Sequence, residues 1–140
     1  MRPGLLAEGF VVQGQAKGNF IKEAMQQEQI TLGLSQEQQA KGELVDSAAE
    51  ALKAGDTIRE HRHGIAPTYE ELLGGGRFDP TNPEHLRYAQ AMNLENYLYL
   101  AVTGFGLATV ATLSGIFMIV TGVALAGTGV ALHQLARRAS

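Results

Sequence analysis

The sequence predicts an all-α protein in which a polar N-terminal arm of short helices and irregular segments precedes one long C-terminal transmembrane helix. Three observations support this prediction. All 14 acidic residues, and nine of the 11 basic ones, lie within residues 1–95. No charged side chain occurs at the 37 positions from Asn96 to Leu132. A short tail with two arginines and no acid follows, which completes the pattern of a single-pass membrane protein.

The first half of the arm, which spans residues 1–82 in all, contains weak helix signals. Frequent glycines in residues 1–18 predict an extended or irregular lead, and a weakly amphipathic helix is predicted from Asn19 to about Ile30. Ser35 and Gln38 then have the spacing of a capping box, in which each side chain bonds the other's backbone N–H. We expect the helix that follows to run to about Ala54, with Gly55 just beyond its end.

Two further short helices are predicted in the rest of the arm. Thr57 and Glu60 fit the capping pattern and predict a helix to about His63. Thr68 and Glu71 repeat the same pattern, and the glycines from Gly74 onward predict the end of that helix.

Asn82-Pro83-Glu84 combines a cap, a proline at the first helical position and an acid in the first turn. We expect one helix over residues 83–134, with a transmembrane segment at about 97–132 and a basic tail at 135–140. A helix of 37 charge-free residues is about 55 Å long, whereas a bilayer core is about 30 Å thick. A short transmembrane hairpin that turns at Ser114-Gly115 is therefore the alternative.

Small residues recur on one face of the apolar helix. Steps of four and three from Gly104 give eight positions, of which six are Gly or Ala: Gly104, Ala108, Ala111, Gly115, Gly122 and Gly129. Small residues let helices approach closely in lipid, so this stripe predicts a helix-packing face. The alternative is that glycine is simply common in transmembrane helices. The apolar helix has no Gly-x-x-x-Gly motif, which favours a different protein over a second copy as the partner.

Residues of the types that mark membrane interfaces lie at both ends of the apolar segment. Tyr97 and Tyr99 stand at its start, and Arg137 and Arg138 follow its end. Aromatic rings favour the headgroup layer, and arginines favour the polar side of it. We therefore predict these four residues as membrane-interface anchors.

The residues give little sign of chemistry. There is no cysteine, and His61 and His63 stand two apart, so they do not share a helix face. The predicted membrane segment has no acid or base for a proton or ion path. We predict no catalytic residues, no metal site and no enzyme activity. We also predict no small-molecule substrate and no cofactor, although the apolar surface allows bound lipid. Dispersed basic residues in an acidic arm argue against nucleic acid as a partner.

The sequence resembles no family that we recognise, so the expected function rests on architecture. The arm has few large apolar residues, and a core this thin rarely folds without partners. We expect an accessory subunit of a large membrane complex of the respiratory, ATP synthase or thylakoid type, with other subunits and the lipid bilayer as its partners. The expected location is the mitochondrial inner membrane, with the thylakoid and the mitochondrial outer membrane as alternatives. The alternative function is a tail-anchored adaptor that recruits soluble partners.

Overall fold

The computed structural model describes residues 3–139, and the surroundings of side chains from Leu6 onward. Five helices lie in this part of the chain: α1 (Pro3–Gln27), α2 (Gln36–Ala40), α3 (Ala48–Ile65), α4 (Tyr69–Leu73) and α5 (Pro83–Ala139). The described residues form no strand. The all-α prediction with one long C-terminal helix is confirmed.

Helix α1 corrects the expectation of an irregular lead. It is one helix of 25 residues that includes Gly4, Gly9, Gly14 and Gly18. A glycine inside a helix costs about 1 kcal/mol relative to alanine, which is why the sequence argued against a helix here. Two of these glycines face α5, and at Gly14 the α5 backbone leaves no room for a side chain.

The capping signals are confirmed at α2 and α4. The backbone N–H of Gln38 donates to Ser35 Oγ over 3.3 Å, and the Ser35 N–H donates to Gln38 Oε1 over 3.1 Å. At α4 the Glu71 N–H donates to Thr68 Oγ1 over 3.1 Å. Helix α4 ends at Gly74, whose φ of 56° is in the left-handed region that glycine tolerates.

The predicted helix from Ser35 to Ala54 and the short helix from Thr57 to His63 were both wrong in their bounds. Helix α2 stops after Ala40, and Gly42 follows with φ 71°. A new helix, α3, begins at Ala48 behind the cap Ser47 and continues through Gly55 and Gly64 to Ile65. It ends there because Pro67 disfavours the helical conformation at Ala66.

Helix α5 begins at Pro83, where Asn82 Oδ1 accepts from the Glu84 N–H over 2.9 Å. It continues without a break to Ala139, so the structure shows one helix and not a hairpin. Among the residues that the structure describes, α5 is the one helix long and apolar enough to cross a membrane.

The chain packs as two compact units, and each has its own contacts. One comprises Phe20–Gly106, and the other comprises residues up to Asn19 together with residues from Leu107 onward. The core of the Phe20–Gly106 unit is formed by side chains from α1, α3, α5 and the loops: Met25, Leu34, Val45, Ala51, Ala54, Ile58, Leu98 and Ala101. Helix α5 thus supplies two residues, Leu98 and Ala101, to the core of this unit.

Candidate functional site

The candidate site is the predicted small-residue face of α5, and its first half is covered by α1 of the same chain. In the unit that joins the start of α1 to the later part of α5, Gly115 lies against Ala7 and Val11. A methyl group on Gly115 would stand 2.8 Å from both the Ala7 carbonyl oxygen and the Val11 nitrogen. Such distances leave no room for a side chain, so the two backbones touch here.

Gly14 makes the reciprocal contact from α1. A methyl group on Gly14 would stand 2.7 Å from the Ala108 carbonyl oxygen and 2.8 Å from the Thr112 nitrogen. Gly18 is less crowded, at 3.7 Å from the Ala108 side chain. Ala108 itself is 7 % exposed. Helices that approach this closely gain van der Waals contact and weak Cα–H···O interactions.

In the Phe20–Gly106 unit the same face makes one further contact. A methyl group on Gly104 would stand 2.6 Å from Ile21 Cδ1. Unlike the backbone contacts above, this one meets the flexible end of a side chain. Gly104 is therefore more tolerant of a small substitution than Gly14 or Gly115.

The signal for this contact was present in the sequence and was missed. The α1 residues Ala7, Val11, Gly14, Gly18, Ile21 and Met25 follow one another in steps of four and three, which is the spacing of the stripe on α5. Gly14 and Gly18 also form the Gly-x-x-x-Gly motif that the apolar helix itself lacks. Both patterns were overlooked because residues 1–18 were expected to be extended or irregular.

The second half of the predicted face has no cover within the described chain. Gly122 and Gly129 are exposed, and a methyl group on either would meet nothing within 4 Å, whereas Ala111 in the first half is half-buried. Every residue from Ile116 to Ala139 is exposed. The predicted face thus divides at Gly115 into a covered part and an uncovered part.

The predicted interface anchors have different surroundings. Tyr97 is 40 % exposed. Tyr99 lies on α3: its hydroxyl donates to Asp56 Oδ1 over 2.8 Å, and its ring packs against Gly55. Arg137 and Arg138 lie in the last turn of α5, where cations interact favourably with the helix dipole.

A buried ion pair joins α3 to α5 in the Phe20–Gly106 unit. Arg62 Nε donates to Glu95 Oε2 over 2.7 Å, and the two side chains are 13 % and 9 % exposed. Arg62 also donates to the Tyr88 hydroxyl and lies over the Tyr88 ring at 5.0 Å. The hydrogen bond to Glu95 raises the pKa of Arg62, against the opposing effect of burial. Because the polar groups of Arg62, Glu95 and Tyr88 pair with one another, we interpret the cluster as a structural link between α3 and α5.

His85 forms a second polar link at the start of α5. The Asp79 N–H donates to His85 Nδ1 over 3.0 Å, so Nε2 carries the proton and donates to the Leu72 carbonyl over 3.2 Å. The Phe78 ring stacks on the imidazole at 5.6 Å. His85 thereby ties α4 and the 79–82 turn to α5. His61 and His63 are exposed, and among residues 3–139 no group of three His, Asp or Glu side chains is placed to hold a metal.

Comparison with known proteins assigns the chain to no family. No family model, curated protein or solved structure matches the chain. The class follows from the geometry of residues 3–139, which are all-α with a single helix that is compatible with a membrane anchor.

Proposed function

We propose that the protein is a non-catalytic accessory subunit of a large multi-subunit membrane complex, with α5 as its membrane anchor. The observation that carries the proposal is the uncovered part of α5. From Ile116 to Ala139 every side chain is exposed, and the large apolar ones include Phe117, Val120 and Val123 at 62–71 %. Monomeric proteins in water rarely expose an apolar surface that surrounds a helix over several turns.

A bilayer matches this surface in chemistry. Residues from Ile116 to Leu132 carry no charge, and Arg137 and Arg138 follow within two turns. All backbone groups of such a helix are satisfied internally, which hydrocarbon requires. A membrane location therefore accounts for the exposed apolar residues that a soluble state would leave in water.

The small residues beyond the α1 contact support a neighbouring subunit. Gly122 and Gly129 continue the phase of Gly115, and no residue of the described chain covers them. At Gly115 this chain already uses a glycine to bring two helix backbones together. A transmembrane helix of another subunit would pack on Gly122 and Gly129 by the same geometry.

The host that we propose is a respiratory complex, ATP synthase or thylakoid complex, and the membrane is the mitochondrial inner membrane. Supernumerary subunits of such complexes share this architecture of one long helix with a small polar arm. The support is this likeness of architecture together with the uncovered face of α5.

Native gel electrophoresis after extraction in a mild detergent tests the proposal. We expect the protein in a band of several hundred kilodaltons, and we expect Gly122→Ile to release it as a small species. Gly127→Ile is the matched control, because it makes the same change on another face of α5, where a methyl group also meets nothing within 4 Å. A wild-type protein that migrates mainly as a small species would contradict membership of a complex and would favour a tail-anchored adaptor.

A further inference from the structure

We infer that the hydrocarbon core of the bilayer surrounds α5 only from Ile116 to about Leu135, and that Leu107–Gly115 lies outside it, beneath α1 at the membrane surface. The inference rests on the proposed membrane anchoring and replaces the predicted segment of about 97–132. It makes the surface of 116–135 the lipid-facing part of the protein. It also makes α1 a helix that packs on the small-residue face of α5 just before α5 enters the membrane.

The first observation is the change of burial at Gly115. On the α1 side of this point, Ala108 and Gly115 are buried, and Ala111 and Thr112 are half-buried. From Ile116 to Ala139 every residue is exposed, with Met118 and Ile119 at 43 % and 39 % and Val123 at 69 %. The α1 cover therefore ends near Gly115, although it protects one face of α5 only, since Leu107, Val110 and Leu113 on the rest of this stretch are 59–68 % exposed.

The second observation is the polarity of α1 itself. Exposed polar and charged residues of α1 accompany the covered stretch: Glu8, Gln13, Gln15 and Lys17. Lys17 adjoins Gly18, which contacts Ala108, and Glu8 lies between Ala7 and Val11, which flank Gly115. A charged side chain inside the bilayer costs at least about 2.5 kcal/mol. The hydrocarbon core must therefore begin beyond the level of Gly115.

The third observation is length. A hydrocarbon core about 30 Å thick requires about 20 helical residues at ~1.5 Å each. Counted from Ile116, 20 residues end at Leu135, just before Arg137 and Arg138. His133 and Gln134 then lie in the last turn of this 20-residue span, where their polar ends reach the interface. The rest of the charge-free run then lies before Ile116, where α3 and α1 each pack on one face of α5.

The exposed apolar residues at the start of α1 agree with this boundary. Leu6 and Phe10 are 51 % and 47 % exposed, and they flank Glu8 at the level of the proposed membrane surface. In the headgroup layer such side chains reach the acyl chains while Glu8 reaches water. The first turns of α1 thus form a second, interfacial contact with lipid.

Single-cysteine labelling tests the boundary, because the chain contains no cysteine. The full-length protein is reconstituted alone in phosphatidylcholine vesicles, with a hydrophilic maleimide on both sides of the bilayer. Leu107→Cys and Val110→Cys are compared with Val123→Cys and Val120→Cys. These positions form matched pairs, since Leu107 and Val123 are 68 % and 69 % exposed, and Val110 and Val120 are both 62 % exposed.

We expect cysteines at 107 and 110 to react faster by on the order of tenfold or more, because a thiolate forms poorly in hydrocarbon. Cysteines at 120 and 123 should react only after detergent is added. Protection of all four cysteines would overturn the boundary while leaving the membrane anchor intact. Rapid labelling of all four, or extraction of the protein by alkaline carbonate, would instead overturn the anchor and with it the proposed function.

Discussion

Gly115 of α5 lies against the backbone of Val11 in α1, so close that a methyl group on Gly115 would stand 2.8 Å from the Val11 nitrogen. This contact joins α1 to α5, which lie far apart in the sequence. The stripe of small residues on α5 therefore has two parts: one that α1 uses within the chain, and one at Gly122 and Gly129 that no described residue covers.

The division of the stripe predicts opposite effects of one substitution at two glycines. Gly115→Ala overpacks the contact with Val11, and we expect it to lower the free energy of unfolding by about 1–3 kcal/mol. Gly122→Ala meets open space and should raise it by up to about 1 kcal/mol through helix propensity. Titration with SDS in a mild detergent, followed by circular dichroism, measures both. Equal effects at the two positions would contradict the packing described.

The Arg62–Glu95 pair predicts a large cost when one partner is removed. Arg62→Ala leaves the Glu95 carboxylate buried without its partner, and breaking a buried pair costs about 3 kcal/mol or more. The exposed Lys41–Glu37 pair, at 60 % and 79 % exposure, is the control. Lys41→Ala should cost less than about 1 kcal/mol. Chemical denaturation of both variants checks this, and a cost at Arg62 as small as at Lys41 would contradict a structural role.

The double variant Arg62→Met with Glu95→Leu distinguishes the contribution of the Arg62–Glu95 ion pair from that of the other contacts of Arg62. Replacing both charges by apolar groups of similar volume is often neutral for stability. We expect the double variant to recover most of the free energy that Arg62→Ala loses. Failure to recover it would show that the Tyr88 contacts of Arg62 carry the stabilisation, and not its pairing with Glu95.

Local capping chemistry explains which parts of the fold could be predicted from the sequence. The caps Ser35, Thr68 and Asn82 each bond a backbone group two or three residues away, so their patterns are complete within one turn. The starts of α2, α4 and α5 were accordingly predicted correctly.

Long-range contacts explain what could not be predicted. Gly14 is unfavourable in an isolated helix, and the reason for it lies about 90 residues further along the chain, where the α5 backbone leaves no room for a side chain. Glu95 pairs with a residue 33 positions away. In the sequence, Glu95 is notable only as the last charged residue before the apolar run. That position alone does not identify Arg62 as its partner.

The hydrogen bonds of the turn before α5 predict a pH dependence of stability through Asp79. The Asp79 carboxylate accepts from the Thr81 hydroxyl over 2.7 Å and from the Thr81 N–H over 2.8 Å. These bonds lower the pKa of Asp79 below its ordinary value of 3.8. Because the folded pKa is the lower one, the stabilising effect is present above pH 3.8 and is lost as the pH falls through the folded pKa.

An NMR titration of the Asp79 carboxyl carbon in detergent micelles measures this shift. Thr81→Val removes the hydroxyl bond, which is the largest cause, and leaves the backbone bond in place. We expect the pKa of Asp79 to move part of the way back toward its ordinary value. Thr31→Val, at another exposed threonine, should not change it. A pKa that is the same in all three proteins would mean that Thr81 does not hold the carboxylate.

The two tyrosines at the start of the apolar run should differ in their effect on stability, because Tyr99 packs on α3 and Tyr97 is exposed. Tyr99→Phe removes the donor to Asp56, and we expect a loss of about 1 kcal/mol because the carboxylate keeps Arg59 as a partner at 2.8 Å. Tyr97→Phe changes an exposed ring and should leave stability within about 0.5 kcal/mol. Neither substitution should release the protein from membranes under alkaline carbonate, since the proposed lipid-facing surface begins at Ile116. Release by Tyr99→Phe alone, with stability unchanged, would instead identify Tyr99 as the membrane-interface anchor that the sequence predicted.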